Sequence, residues 1–256
     1  MITSMFAPRL APPPTLPRLP LVMEWTAQAG PRSLPRRRVR PHRPLPPRLT
    51  TEPGAGARFA SLPVRSEAEG FDFSQVMARL CQDITRRVAP LQHLDLTRVL
   101  FTITQARSHR RHGLQAKVTP LRFRHGHLTE VRRGRLFQVQ RYVVDGLDML
   151  YLVTFCLPRF LNQTFEEKLV TIFHELYHIS PACNGDLRRH QGRYCLHTSS
   201  QKCYDRQMHE LASEYLKVRP APELIGFLRL NFEQLHSCHG PVQGVAVPMP
   251  KLVLVE

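Results

Sequence analysis

The hydrophobic pattern of the chain changes character at about residue 71. From there onward, apolar residues such as Phe73, Met77 and Ile84 recur at the spacing of an α-helix. Pro90 then ends this predicted helix, because proline cannot continue the helical hydrogen-bond pattern. No such period is visible earlier in the chain. The globular part is therefore predicted to span residues 71–256.

Four segments in the middle of the chain have the composition of β-strands. Residues 99–104 and 114–119 alternate apolar and polar positions around a basic loop, and they are predicted to form a β-hairpin. Residues 135–144 and 149–157 are predicted to pair through Asp145-Gly146, a common hairpin dipeptide. The chain thus supplies at least one small sheet.

Two more helices are predicted after these strands. Thr164 and Glu167 have the spacing of a capping box, so a helix is expected from there to about Ile179, with one apolar stripe that can pack on a sheet. A later helix is predicted over about 205–219, and residues 252–255 predict a last strand. Together the elements predict an α+β fold with a small, mostly antiparallel sheet.

The region before residue 71 has a different composition. Residues 1–70 hold 14 of the 23 prolines and 11 arginines, with no lysine. Such a segment cannot bury enough apolar surface to fold, so a disordered extension is predicted. The whole chain carries a net charge of +16. This excess favours polyanionic partners, and nucleic acid is a candidate partner through the extension and the basic loop at 107–113.

Neither a membrane partner nor secretion is expected. The longest apolar run, at residues 149–158, has about half of the roughly 20 residues that a membrane helix needs. Prolines interrupt any apolar core of a signal peptide near the first residue. The six cysteines form no CxxC pair, so they are predicted to be free thiols in a reducing compartment. A cytoplasmic location is therefore predicted.

The predicted helix after Thr164 carries an HExxH sequence, His174-Glu-Leu-Tyr-His178. Its i, i+4 spacing places both imidazoles on one helix face, where their neutral nitrogens can bind Zn²⁺. Glu175 lies beside them and can take a proton from zinc-bound water and pass it to a leaving amine. With this content of His and Glu, chance predicts only about 0.03 such matches in the chain. Two surface histidines on an amphipathic helix are the alternative.

A catalytic zinc needs a third protein ligand and one open position. The sequence favours His197, which follows a short predicted strand or turn, and His190 is the alternative histidine. Downstream carboxylates and thiols keep further alternatives open. These are Glu210, Glu214, Cys183, Cys195 and Cys203.

Residues 168–181, together with 184–189 and 192–194, resemble a family. The run around His174 is similar to a poorly characterised zincin group, the metallopeptidase domain of bacteria and phages, and at greater distance to SprT-like proteases. The resemblance covers about residues 71–256 and is strongest in 165–216. It implies a zincin-like fold, zinc ligands at His174 and His178, a catalytic Glu175, and a later histidine for which His197 is the match.

The sequence therefore predicts a zinc metallopeptidase, a hydrolase that cleaves a protein or peptide substrate. An extended peptide is expected to add as a strand to an open sheet edge beside the metal. Three alternatives stay open. They are a nucleic-acid-associated protein with a structural zinc, a DNA-linked protease of the SprT-like kind, and a zinc hydrolase that acts on a non-peptide amide. The oligomeric state is not predicted.

Overall fold

The computed structural model describes residues 21–25, 37–41, 70–106, 112–144, 146–189 and 201–254, with side chains described from residue 70 onward except in 201–203. The described residues form five α-helices: α1 (Phe73–Arg87), α2 (Phe165–Tyr177), α3 (Gln201–Lys217), α4 (Pro222–Ile225) and α5 (Phe232–His239). They also form twelve strands: β1 (Leu21–Trp25), β2 (Arg37–Pro41), β3 (Phe71–Asp72), β4 (Val99–Gln105), β5 (Ala116–Pro120), β6 (Thr129–Arg132), β7 (Arg135–Val139), β8 (Val143–Val144), β9 (Leu147–Asp148), β10 (Tyr151–Leu157), β11 (Val242–Ala246) and β12 (Leu252–Leu254). The predicted α+β class, with small and mostly antiparallel sheets, is confirmed.

The central sheet has three strands in the order β4, β10, β5. β10 runs parallel to β4 and antiparallel to β5, where Val153 lies opposite Val118. All seven residues of β10 are buried. A strand that is buried along its whole length suits the middle of a sheet that is covered on both faces.

Two predicted strand pairs are wrong. Residues 99–104 and 114–119 do not form a hairpin, because β10 lies between β4 and β5. Residues 135–139 do not pair with 149–157 either, since they form β7 between β12 and β6, and the predicted hairpin is reduced to its end, where the Met149 N–H donates to the Tyr142 carbonyl at 2.7 Å. Only the two-residue strands β8 and β9, on either side of the predicted turn, pair with each other. Because β10 is buried between β4 and β5, it keeps those two strands apart and has no free edge for β7. This burial outweighs the local hairpin signals. The predicted last strand is confirmed as β12, which pairs with β7 at the edge of the sheet that these two strands form with β6.

A third sheet has the order β2, β1, β11, β3. Its first two strands lie within the proline-rich and arginine-rich extension, where the composition predicts no regular structure. β1 is an apolar segment, and it pairs antiparallel with β11, which would otherwise present an open edge. The remaining residues of 1–69 lie outside the described part of the chain.

Helix α1 packs on the central sheet through the residues whose period predicted it. Phe73, Met77, Leu80 and Ile84 are all fully buried. The ring of Phe73 meets that of Phe155 on β10 edge to face, with centroids 5.4 Å apart. Among the described residues, no helix is long and apolar enough to cross a membrane.

Helix α2 is joined to the turn after α4 by a buried lysine. Lys168 is 1 % exposed, and its Nζ donates hydrogen bonds to the carbonyl oxygens of Leu228 at 2.9 Å and Leu230 at 2.7 Å. Burial disfavours the charged ammonium and lowers the pKa of Lys168 to about 8. A neutral amine can still donate to both carbonyls.

This lysine predicts a rise in stability at alkaline pH. Because the folded-state pKa lies below that of an ordinary lysine, the unfolded chain binds more protons above about pH 8, so the free energy of unfolding increases with pH there. Between pH 7.5 and 9.5 we expect the parent to gain about 2 kcal/mol relative to Lys168→Met. Urea denaturation of both proteins at the two pH values measures the difference. Equal pH dependence in parent and variant would contradict the prediction.

Candidate metal centre

Helix α2 begins at the predicted capping box. The Thr164 hydroxyl accepts a hydrogen bond from the Glu167 backbone N–H at 3.2 Å, and the Glu167 carboxylate accepts one from the Thr164 N–H at 2.7 Å. Leu169, Ile172 and Leu176 form the buried stripe that packs the helix on the core. The cap and the stripe together fix which face of the helix carries the HExxH residues.

The two histidines of the motif converge. His174 and His178 are half-buried, and their Nε2 atoms lie 2.9 Å apart. Two nitrogens bound to one tetrahedral zinc at about 2.0–2.1 Å would lie about 3.3 Å apart. The observed pair therefore needs only a small side-chain adjustment to hold a metal ion. Paired imidazole nitrogens on one helix turn fit the donor chemistry that Zn²⁺ prefers.

Glu175 is buried on the neighbouring side of the helix, with 6 % exposed. Burial raises the pKa of its carboxyl to about 7, and a hydrogen bond from the backbone of Val118 opposes that rise. Val118 belongs to β5, so the carboxyl lies between α2 and the edge of the central sheet. A carboxyl in this position can accept and return a proton at neutral pH.

The outer edge of β5 is partly occupied in the described part of the chain, because the Val118 backbone bonds Glu175 and the Arg122 N–H just after the strand donates to the Gly185 carbonyl at 3.2 Å. Cys156 donates to the Gln115 carbonyl, and Leu121 donates to the Leu150 carbonyl. In an antiparallel pair the hydrogen-bonded positions alternate, so the backbone of Val118, opposite Val153, points away from β10. Among the described strands, β5 pairs with β10 alone.

Tyr204 on α3 packs against both imidazoles. Its buried ring lies with its centroid 5.0 Å from that of His174, edge to face, and 5.9 Å from that of His178, stacked. The Tyr177 ring lies 5.9 Å from it. Tyr204 is not among the site residues predicted from the sequence. It precedes Met208 by about one helical turn and both are buried, and this spacing is the sequence signal that could have placed the ring on the packed face of α3.

The end of α2 is held by the loop that follows it. The Arg188 backbone N–H donates to the His178 carbonyl at 2.7 Å, and its Nε donates to the Tyr177 carbonyl at 2.7 Å. The guanidinium carbon lies 4.1 Å from the centroid of the Tyr177 ring. The Gln207 side-chain amide of α3 donates to the Tyr177 hydroxyl at 2.9 Å. Arg188 and α3 therefore restrict the motion of the last helical turn.

Asp186 connects this loop to the turn that follows β5. Its carboxylate accepts hydrogen bonds from the backbone N–H groups of His125 at 2.9 Å and Leu187 at 2.8 Å, and from Arg189 Nη2 at 2.9 Å. Burial alone would raise the pKa of Asp186, but these donors outweigh burial and hold the pKa below its ordinary value. The Tyr151 hydroxyl of β10 donates to the Asp186 carbonyl at 2.8 Å.

The predicted third ligands are mostly beyond what the structure describes. His197 and His190 both lie outside the described residues, as do Cys195 and the side chain of Cys203. The remaining alternatives are described: Glu210 and Glu214 are exposed on α3, and the Cys183 sulfur accepts a hydrogen bond from the Asp95 N–H at 3.4 Å. The described side chains contain no group of three or more His, Cys, Asp or Glu that could hold a metal ion.

A scan against protein-family models found no match, and searches of the curated proteins and of the solved structures found none either. The geometry of the described residues is thus the basis for a functional argument.

Proposed function

We propose that the protein is a zinc-dependent peptidase that uses Glu175 to activate water. The observation that carries the proposal is the convergence of the His174 and His178 Nε2 atoms at 2.9 Å, next to a buried carboxyl that is bonded to the edge strand β5. The zinc ligands in this proposal are His174, His178 and His197, with His190 as the alternative third ligand. A bound zinc ion supplies Lewis-acid polarisation of water and of the scissile carbonyl.

Glu175 performs the proton transfer in this scheme. Its carboxylate takes a proton from the attacking water and returns it to the amine that leaves. The hydrogen bond from the Val118 backbone holds the carboxyl between α2 and β5. A general base must be within hydrogen-bond reach of the proton that it takes, so the proposal requires the attacking water to lie beside this carboxyl.

The outer edge of β5 supplies a place for the substrate backbone beside Glu175. The Val118 N–H is taken by Glu175, so a peptide would pair with the Ala116 N–H and the outward carbonyl groups of β5, which would hold it in an extended conformation. Pro120 ends the strand, and its position opposite Tyr151 is one whose backbone points outward, so the missing N–H costs no hydrogen bond to β10. This arrangement supports a polypeptide as the substrate.

A cytoplasmic location is part of the same proposal. Cys81, Cys156, Cys183 and Cys238 are free thiols in the structure, which suits a reducing compartment.

Metal analysis tests the zinc site directly. The full chain, purified without chelator, is expected to carry about one zinc per molecule by inductively coupled plasma mass spectrometry. His174→Ala and His178→Ala are each expected to lose the zinc, because each removes one of the two ligands that α2 supplies. His209→Ala, an exposed histidine on α3, is the matched control and should keep its zinc. A parent protein without zinc would overturn the proposal.

The same measurement identifies the third ligand. His197→Ala is expected to lose zinc, while His190→Ala is expected to keep it. The reverse result would transfer the role to His190 and leave the rest of the proposal unchanged.

A further inference from the structure

One aromatic ring of α3 contacts both histidines of the HExxH motif. The Tyr204 side chain is 1 % exposed. Its ring plane makes an angle of 81° with that of His174 and of 25° with that of His178. The two imidazole planes are themselves 81° apart, with centroids separated by 4.5 Å. A single buried ring thus packs on two imidazoles that have different orientations.

The short distance between the imidazoles cannot be kept by their own hydrogen bond once a metal ion binds. At 2.9 Å between the Nε2 atoms, one nitrogen donates its N–H and the other accepts. A histidine nitrogen that binds zinc must present its lone pair, so neither Nε2 of a zinc-bound pair carries a proton. Convergence of the two rings in that state therefore depends on the groups that pack around them.

Tyr204 is itself fixed by its surroundings. The Tyr177 ring lies edge to face with it, with centroids 5.9 Å apart. Tyr177 is in turn restrained by the Gln207 amide, which donates to its hydroxyl at 2.9 Å, and by the Arg188 guanidinium, 4.1 Å from its ring centroid. Met208, about one turn after Tyr204, is fully buried. The Tyr204 ring therefore has little freedom to follow an imidazole that changes its rotamer.

We infer that Tyr204 is a positioning residue whose ring keeps the imidazoles of His174 and His178 converged for a metal ion. The inference rests on the proposed function for the role of these histidines as zinc ligands. Groups that orient ligating histidines strengthen metal binding. A packed ring does so by restricting the side-chain rotamers, so that less conformational entropy is lost when the ion binds. Because the ring makes these contacts, the hydroxyl is not required for the role.

Tyr215 offers a matched comparison on the same helix. It is also fully buried and lies about three helical turns after Tyr204 on α3. Its ring likewise packs on α2, but on Phe173, with centroids 6.1 Å apart. Replacing either tyrosine by leucine removes a buried ring between the same two helices. The described ring contacts of Tyr204 include the imidazoles, whereas that of Tyr215 is with Phe173.

Zinc affinity tests the inference. The full chain and its variants are titrated with Zn²⁺ in competition with a chromophoric chelator. Tyr204→Leu is expected to weaken zinc binding about tenfold, the lower end of the effect of losing a group that orients a ligand. Tyr204→Phe keeps the ring and should keep the affinity of the parent. Tyr215→Leu should lower the melting temperature but leave the affinity for zinc unchanged.

Three results of this titration would overturn the inference. They are an unchanged affinity in Tyr204→Leu, an equal loss in Tyr215→Leu, and a loss in Tyr204→Phe as large as that in Tyr204→Leu. If Tyr204→Leu does not fold, Tyr204→Met replaces it, because methionine fills more of the site and has no ring.

A measurement on the zinc-free protein separates this inference from the proposed function. In full chains labelled with ¹³C-histidine, the close approach of the imidazoles predicts a nuclear Overhauser effect between the ring protons of His174 and His178. Parent, Tyr204→Phe and Tyr215→Leu should show it, and Tyr204→Leu should lose it. Equal intensity in Tyr204→Leu would contradict the positioning role, whether or not the parent binds zinc. A parent that shows the effect but binds no zinc would overturn the proposed function instead.

Discussion

Glu175→Gln is expected to lower the rate of peptide hydrolysis about a thousandfold, the middle of the range for loss of a general acid–base group. The amide has the size of the carboxyl but cannot accept a proton from water. Since burial already favours the neutral form of Glu175, the variant should fold at least as stably as the parent. The assay is release of fluorescent fragments from fluorescein-labelled casein, with zinc content and melting temperature measured on the same samples.

The control for this variant is Glu166→Gln, which makes the same chemical change at an exposed position in the first turn of the same helix. It should retain the rate of the parent. Glu175→Gln should retain its zinc, because Glu175 is not among the proposed ligands. Undiminished hydrolysis by Glu175→Gln would contradict the assigned role even if the zinc site is correct.

Gly185→Ala is expected to lower the free energy of unfolding by about 3 kcal/mol, from backbone strain together with steric overlap. Gly185 has φ of +88°, a region that residues with a Cβ rarely adopt. A Cβ at this position would also collide with the side chain of Arg122, whose guanidinium is paired with Asp148 beneath the loop. Chemical denaturation of parent and variant measures the loss.

Gly146 provides a control that separates the two causes. It has a similar φ of +80°, but a Cβ there would meet nothing within 4 Å. Gly146→Ala should therefore cost only the backbone strain, about 1 kcal/mol. Equal losses in the two variants would show that the contact with Arg122 does not contribute.

The helices of this protein could be predicted from local signals. The capping box of Thr164 and Glu167, and the apolar period that begins at Phe73, depend on residues a few positions apart, and both are present in the structure. The position of Glu175 beside the paired imidazoles follows from the same helix geometry. Side chains on one helical turn have fixed relative positions, so this part of the candidate site needs no knowledge of the tertiary fold.

Strand partners could not be predicted in the same way. The signals at Asp145-Gly146 and around the basic loop favoured hairpins, but β10 is buried at every position and its place between β4 and β5 separates those two strands. Tyr204 and Arg188 were missed as neighbours of the histidines for a related reason. Their places depend on how α3 and the loop after α2 pack on the helix, which is a long-range property.

The contact between β11 and the first turn of α1 has a consequence for the order in which the protein can fold. Val245 of β11 donates a hydrogen bond to the Ser74 hydroxyl of α1 at 2.9 Å, across 171 positions of sequence. During synthesis, the buried Ser74 hydroxyl can gain this partner only after Val245, 171 positions later, has been made. Contacts of such high sequence separation slow folding, because loop closure comes before any stabilising contact is made.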